Sequence, residues 1–187
     1  MGARASAGVT APTGVLPLPV KLYIIMSMLP VTFYLGPLYM TNLRLLLEIM
    51  VVPLTVQLFT GKFGRVLWTD ILFFAHMAWA GLTLAINNPA MVITQMGSIG
   101  PEFLGGYLIG RAYVRDKASF IVLAKWLVWA VILTIPAAIY ETKTGTPITL
   151  QILGKLPGFG TFPFVDYEPR LGLQRVQGML THPIHYG

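Results

Sequence analysis

The sequence predicts an all-α, polytopic membrane helix bundle with about five transmembrane helices. Three observations carry that prediction: most residues are hydrophobic, few are charged, and the charges collect in short connectors between apolar runs. Hydrophobic residues make up 55% of the chain and charged residues 11%, with a mean hydropathy of +0.69, beyond what a water-soluble core and its surface require. The formal charge of +6 resides largely in those connectors, as the positive-inside rule describes, so nucleic acid is not expected as a partner. The absence of cysteine excludes disulfides and thiolate chemistry.

Residues 1–17 read as a cytoplasmic tail, because they hold one Arg and no apolar run of signal-peptide type. A helix crossing a ~30 Å hydrocarbon core needs about 20 apolar residues. Stretches near that length run from Leu18 to Tyr39, Leu43 to Phe59, Leu67 to Ile86, Ala90 to Ile109 and Ala118 to Tyr140, giving a membrane domain over residues 18–140. The first carries Lys21 near its start and contains Pro30 and Pro37, which predict a kinked helix. In the second, short and holding Pro53, Arg44 and Glu48 stand at i,i+4 and can pair along one face; alternatively Arg44 stays partly free at the outer interface, available to a phosphate. His76 in the third is either a proton relay or a hydrogen-bonded packing residue. The fourth is interrupted by Gly100, Pro101 and Glu102, which predicts a broken helix. A charge at that depth costs ~2.5–3.5 kcal/mol, so Glu102 should face protein or water, as a site carboxylate or as a neutral or paired structural one. Gly106 and Gly110 have the spacing for a close helix contact. Trp68 and Tyr140 fall at expected interfaces, and Trp126 and Trp129 in the inner half of the fifth segment.

The connector charges set the expected orientation. TGKFGRV after Phe59 and GRAYVRDK after Ile109 are basic and belong inside, the uncharged NNPA at Asn87 to Ala90 belongs outside, and Arg4 with Lys21 puts the N-terminus in the cytoplasm. Five crossings would then leave residues 141–187 extracytoplasmic. Pro147, Pro157, Pro163 and Pro169 keep this stretch from being one spanning helix, and ordered loops of about 40 residues are usually functional. Arg170 and Arg175, with Gly172 between them, could fold together around an anion; the planar Arg fork grips phosphate oxygens with charge-assisted bonds of ~1.5–3 kcal/mol each. They could equally be solvated charges paired with Asp166 and Glu168. His182 could move a proton, or simply precede a helix that starts at Pro183. No dinucleotide turn, Walker loop, serine elbow or zinc spacing occurs, so no metal or cofactor is expected.

The order of these features is similar to the bacterial O-antigen and exopolysaccharide polymerase and O-antigen ligase family. The residues that carry the resemblance are Pro30 in the first segment, Arg44 at the start of the second, GKFGR at Gly61 to Arg65, and Asp70 with Trp79 in the third. GGYLIGR at Gly105 to Arg111, then Glu141, Thr144 and Gly145, and the run RLGLQRVQGMLTHPIHYG from Arg170 to Gly187 complete it. The resemblance implies a larger glycosyltransferase C-like fold in the bacterial inner membrane, of which this chain is the N-terminal portion, with the loop leading into a missing sixth helix. It implies action on undecaprenyl-diphosphate-linked glycans at the outer membrane face without a metal. Arg170, Arg175 and Arg44 would bind the diphosphate, and His182 would be a catalytic candidate beside further groups in a second outer loop. A transporter or flippase fragment, suggested by the broken fourth segment, and a non-catalytic membrane subunit are the alternatives.

Overall fold

The computed structural model describes residues 15–29, 31–36, 38–156, 160–163 and 172–179. Arg170 and His182, together with Asp166 and Glu168, lie outside them. The chain is mostly helical: α1 is Leu18–Met28, α2 Asn42–Phe59, α3 Trp68–Asn87, α4 Val92–Tyr113, α5 Lys117–Thr144 and α6 Ile148–Leu153, with strands β1 Thr32–Leu35 and β2 Leu38–Thr41 between α1 and α2.

The first apolar segment is therefore not one kinked, spanning helix. Leu29 already has extended backbone (φ −97°, ψ 111°), as a residue before proline must, since the ring of Pro30 clashes with a helical predecessor. Beyond it, Val31 to Tyr34 are β-branched or aromatic and favour a strand. Gly36, at φ +61°, supplies the left-handed residue of the turn. The two strands pair antiparallel, Thr32 opposite Thr41 and Tyr34 opposite Tyr39. Thr41 then caps α2, its hydroxyl accepting from the Arg44 backbone N–H at 3.1 Å. The 11 residues of α1 extend about 16 Å, half a hydrocarbon core, so in a chain that is mostly helical the first of the expected spans is a short helix and a hairpin instead.

Among the described residues α2, α3 and α5 are long and apolar enough to cross a membrane. The fourth segment runs as one helix through Pro101, which is itself buried; the expected break is absent because a proline removes one donor and neighbouring helices hold the rest in place. With 22 residues α4 has spanning length, but its glycines and polar side chains dilute its apolar character.

The core lies where α1, α2 and α4 meet: Leu16, Val20 and Ile24 pack with Leu47, Leu54, Leu58, Phe63, Leu108 and Ile109. A Cβ placed on Gly105 would come within 2.9 Å of Leu47 Cδ2 and 3.0 Å of its Cβ, so α2 and α4 touch at that glycine. The expected close contact is met at Gly106, whose Cβ position lies 3.3 Å from the Tyr23 hydroxyl of α1, and not at Gly110, where nothing lies within 4 Å of a Cβ. Helices α3 and α4 run antiparallel, joined by Phe73 stacked on Phe103 and Tyr107 and by Met77 over Gly100.

Helix α5 stands apart. Most of its apolar residues face outward, Leu133 at 78% and Trp129 at 67% exposure, while Val122, Leu123 and Ala130 touch the core and its buried residues are the polar Ser119 and Glu141 near its two ends. Lys21 lies over the Trp126 ring at 5.9 Å. The chain after Tyr140 starts as helix, reaching Thr144 before Gly145 (φ +68°) ends it in the left-handed conformation.

Candidate functional site

Three carboxylate centres join elements that are distant in sequence. At the end of the basic connectors, Asp70 in the first turn of α3 is wholly buried. Its Oδ2 accepts the Leu67 backbone N–H at 2.7 Å, and its Oδ1 accepts the Tyr107 hydroxyl and the Arg111 Nε at 3.3 Å. Arg111 continues to the Phe63 carbonyl at 3.2 Å and the Arg65 carbonyl at 3.0 Å. Tyr107 and Arg111 stand at i,i+4 on α4, so one helix face reaches both the carboxylate and the connector. The GKFGR and GGYLIGR stretches are thereby tied into one cluster.

Arg44 and Glu102 form the second centre. The guanidinium donates from Nε at 3.0 Å and Nη2 at 2.8 Å to Glu102 Oε1, and from Nη1 at 2.6 Å to the Tyr39 carbonyl. This corrects the expected Arg44–Glu48 pair: the partner comes from α4. Glu102 is ion-paired within the bundle, with its side chain 42% exposed against 16% for Arg44. Three of the five N–H groups of an Arg fork are used in these bonds. His76 is exposed, its ring tilted against Phe103 at 5.2 Å.

The third centre holds the loop. Glu141, 1% exposed in the last turn of α5, accepts the backbone N–H of Gln177 at 2.8 Å on Oε1 and of Gly178 at 3.0 Å on Oε2. Around it the Gln177 side chain donates to the Pro163 carbonyl at 2.9 Å, Thr149 donates to the Gly178 carbonyl at 3.0 Å, and the Gln174 N–H reaches the Thr142 carbonyl at 3.0 Å. A reciprocal bridge between Thr32 and Gly160, at 2.9 and 2.8 Å, fastens the loop to the hairpin. Arg175 is half-buried in the irregular stretch between Gln174 and Gln177. Where α5 turns into α6, a cleft of about 390 Å³ is lined by Gly145, Thr146, Leu150 and Phe162 among others. An apolar groove of about 310 Å³ runs between α1 and α5 with Met179 at its edge.

Of the sequence-predicted site residues, Arg44 and Arg175 are thus described, and Arg170 and His182 lie outside the described residues. Sequence reasoning named Asp70 and Glu141 only through the resemblance, and missed that each organises a centre. The signal was present: a carboxylate in or next to an apolar run must find donors, and Tyr107 with Arg111 supply them on one face. Among the described residues no group of three or more His, Cys, Asp or Glu could hold a metal ion. The chemistry this arrangement offers is electrostatic, namely cationic side chains fixed by a polar backbone framework. Comparison with family models, with curated proteins and with solved structures finds no match to this chain.

Proposed function

We propose that the chain supplies the membrane helices and the diphosphate-holding loop of a polysaccharide polymerase or O-antigen ligase acting on undecaprenyl-diphosphate-linked glycans. The observation that carries this reading is the docking of the Arg175 segment on the end of the bundle away from the basic connectors. By the positive-inside rule those connectors are cytoplasmic, so the loop faces the side on which lipid-linked glycans are elongated or transferred. It is further supported by where the residues of the resemblance meet: Asp70 with Tyr107, Arg111 and the GKFGR carbonyls, and Glu141 with the backbone just after Arg175.

In this reading Arg175, with Arg170, grips the diphosphate and stabilises the negative charge that develops as the glycosyl bond breaks. Arg44 contributes the N–H groups that Glu102 and Tyr39 leave over, and His182 is the acid or base candidate. The transporter alternative loses its motive, because α4 is continuous and Glu102 is already paired.

The test is glycan synthesis in the producing cell. Arg175→Ala should abolish finished glycan while lipid-linked repeat units accumulate and membrane levels of the protein hold. Arg175→Lys should rescue poorly, since an ammonium keeps the charge but lacks the fork. Wild-type glycan in an Arg170→Ala, Arg175→Ala double variant would sink the reading.

A further inference from the structure

Glu141 is a buried carboxylate to which the function above gives no task. Both of its oxygens accept successive main-chain N–H groups, at Gln177 and Gly178. Neighbouring N–H groups converge on one anion only when the chain curls into a nest, which the left-handed Gly178 (φ +63°) makes possible. Three residues earlier the Gln174 N–H is bonded to the carbonyl of Thr142, next to Glu141 on the same helical turn. Arg175 therefore lies between two main-chain points, Gln174 and Gln177, that are both pinned to the last turn of α5.

We propose that Glu141 is a positioning residue, whose clasp on the backbone of Gln177 and Gly178 sets where Arg175 presents its guanidinium. The proposal rests on the reading of Arg175 as a diphosphate ligand and adds to it the residue that holds that ligand in register. The chemistry specifies Glu at this place. A Gln of the same size has one acceptor oxygen and turns an NH2 toward the second N–H. An Asp keeps the charge but is a methylene short. Neither can serve both donors, and a buried donor left without a partner is costly. A guanidinium misplaced by an ångström loses its bidentate geometry on a phosphate, which is where the functional penalty arises.

The chain has no cysteine, so introduced cysteines report without background. The full chain in lipid nanodiscs would carry spin labels at Leu173→Cys and Val128→Cys, both exposed positions, and would be titrated with farnesyl diphosphate. Glu141→Gln and Glu141→Asp should each broaden the label-to-label distance distribution and weaken farnesyl diphosphate roughly tenfold or more. In an Arg175→Ala background the same substitutions should still broaden the distribution but weaken binding no further, a non-additivity that general loosening of the fold would not produce. An unchanged distribution in both Glu141 variants overturns the clasp. A broadened distribution with unchanged affinity overturns the positioning role. Wild-type affinity in Arg175→Ala alone overturns the diphosphate reading beneath the proposal, and the proposal with it.

Discussion

Three of the seven acidic side chains, Asp70, Glu102 and Glu141, each tie together elements separated by 35 residues or more in the chain. Asp70 is the most demanding, because it is fully buried and shared between Tyr107, Arg111 and the Leu67 N–H. Removing one member of a buried, hydrogen-bonded pair typically costs ~3–5 kcal/mol, so Asp70→Ala should lower thermal stability in detergent by that order, and Arg111→Ala by a similar amount. A variant at either position that melts like wild type would show the cluster to be incidental. At the other kind of site, exposed Asp116 caps α5 by accepting the Ser119 N–H at 2.9 Å and the Ser119 hydroxyl at 2.7 Å. Those bonds, the backbone one first, hold its carboxyl below its ordinary value of 3.8. A depressed carboxyl stabilises the fold fully above the unfolded value and loses that contribution as pH falls through the folded one. Protection of the Ser119 amide, taken against its intrinsic exchange rate at each pH, should accordingly fall in acid below 3.8, and Asp116→Asn should flatten that dependence. The residue scale also explains why Arg44 pairs with Glu102 rather than Glu48. Side chains on a helix lean toward its N-terminus, so an Arg in the first turn reaches back to the hairpin and across to α4, away from Glu48 one turn ahead. An Arg placed before its acid at i,i+4 is also the poorer order of the two.

Elements were legible where one apolar run makes one helix, packed or not: α2 is Asn42–Phe59 against the run Leu43 to Phe59, although it holds the tightest contact with α4. The α3 and α5 helices stand close to the apolar runs read for them, Leu67 to Ile86 against Trp68–Asn87 and Ala118 to Tyr140 against Lys117–Thr144. The first segment failed because an apolar run of that length looks alike whether it forms one helix or a helix and a hairpin; the residue before Pro30, with the β-branched and aromatic residues after it, was the deciding signal. In the fourth segment the reverse error occurred, since Pro101 was read as a break and the packing around it keeps α4 whole. The contact between α2 and α4 is testable at its tightest point. Gly105→Ala gains up to ~1 kcal/mol of helix propensity, but its Cβ would press on Leu47 Cβ, which no rotamer change can withdraw, and overpacking costs ~1–3 kcal/mol. The net effect should be a lower melting temperature in micelles. Gly110→Ala, with open space around it, should raise it; the opposite ranking would move the helix contact elsewhere.

For the whole molecule, composition pointed to helices able to cross a membrane, and α2, α3 and α5 are long and apolar enough to do so, with large apolar side chains exposed along them. It could not reveal which helices touch: helices facing lipid on one side and helices on the other carry little amphipathic contrast. Nor could it show the docking of the loop, which depends on main-chain donors and on one glutamate. The orientation is read by fusion. Alkaline phosphatase joined after Thr146 should be active and joined after Arg65 inactive, and the reverse result would put the loop in the cytoplasm. Helix α5 has a further consequence. Its 28 residues measure about 42 Å against a hydrocarbon core of ~30 Å, it meets the bundle sparingly, and the loop it leads into is also fastened to the hairpin through Thr32 and Gly160. A helix longer than its bilayer answers hydrophobic mismatch by tilting. Thinner membranes should therefore lean α5 further over, and because the loop is strapped to two bodies, the angle between them becomes the angle at which Arg175 is offered. Oriented nanodiscs of short- and long-chain lipid should show α5 tilt and the Leu173 label position changing together, which would make bilayer thickness itself a control on the loop.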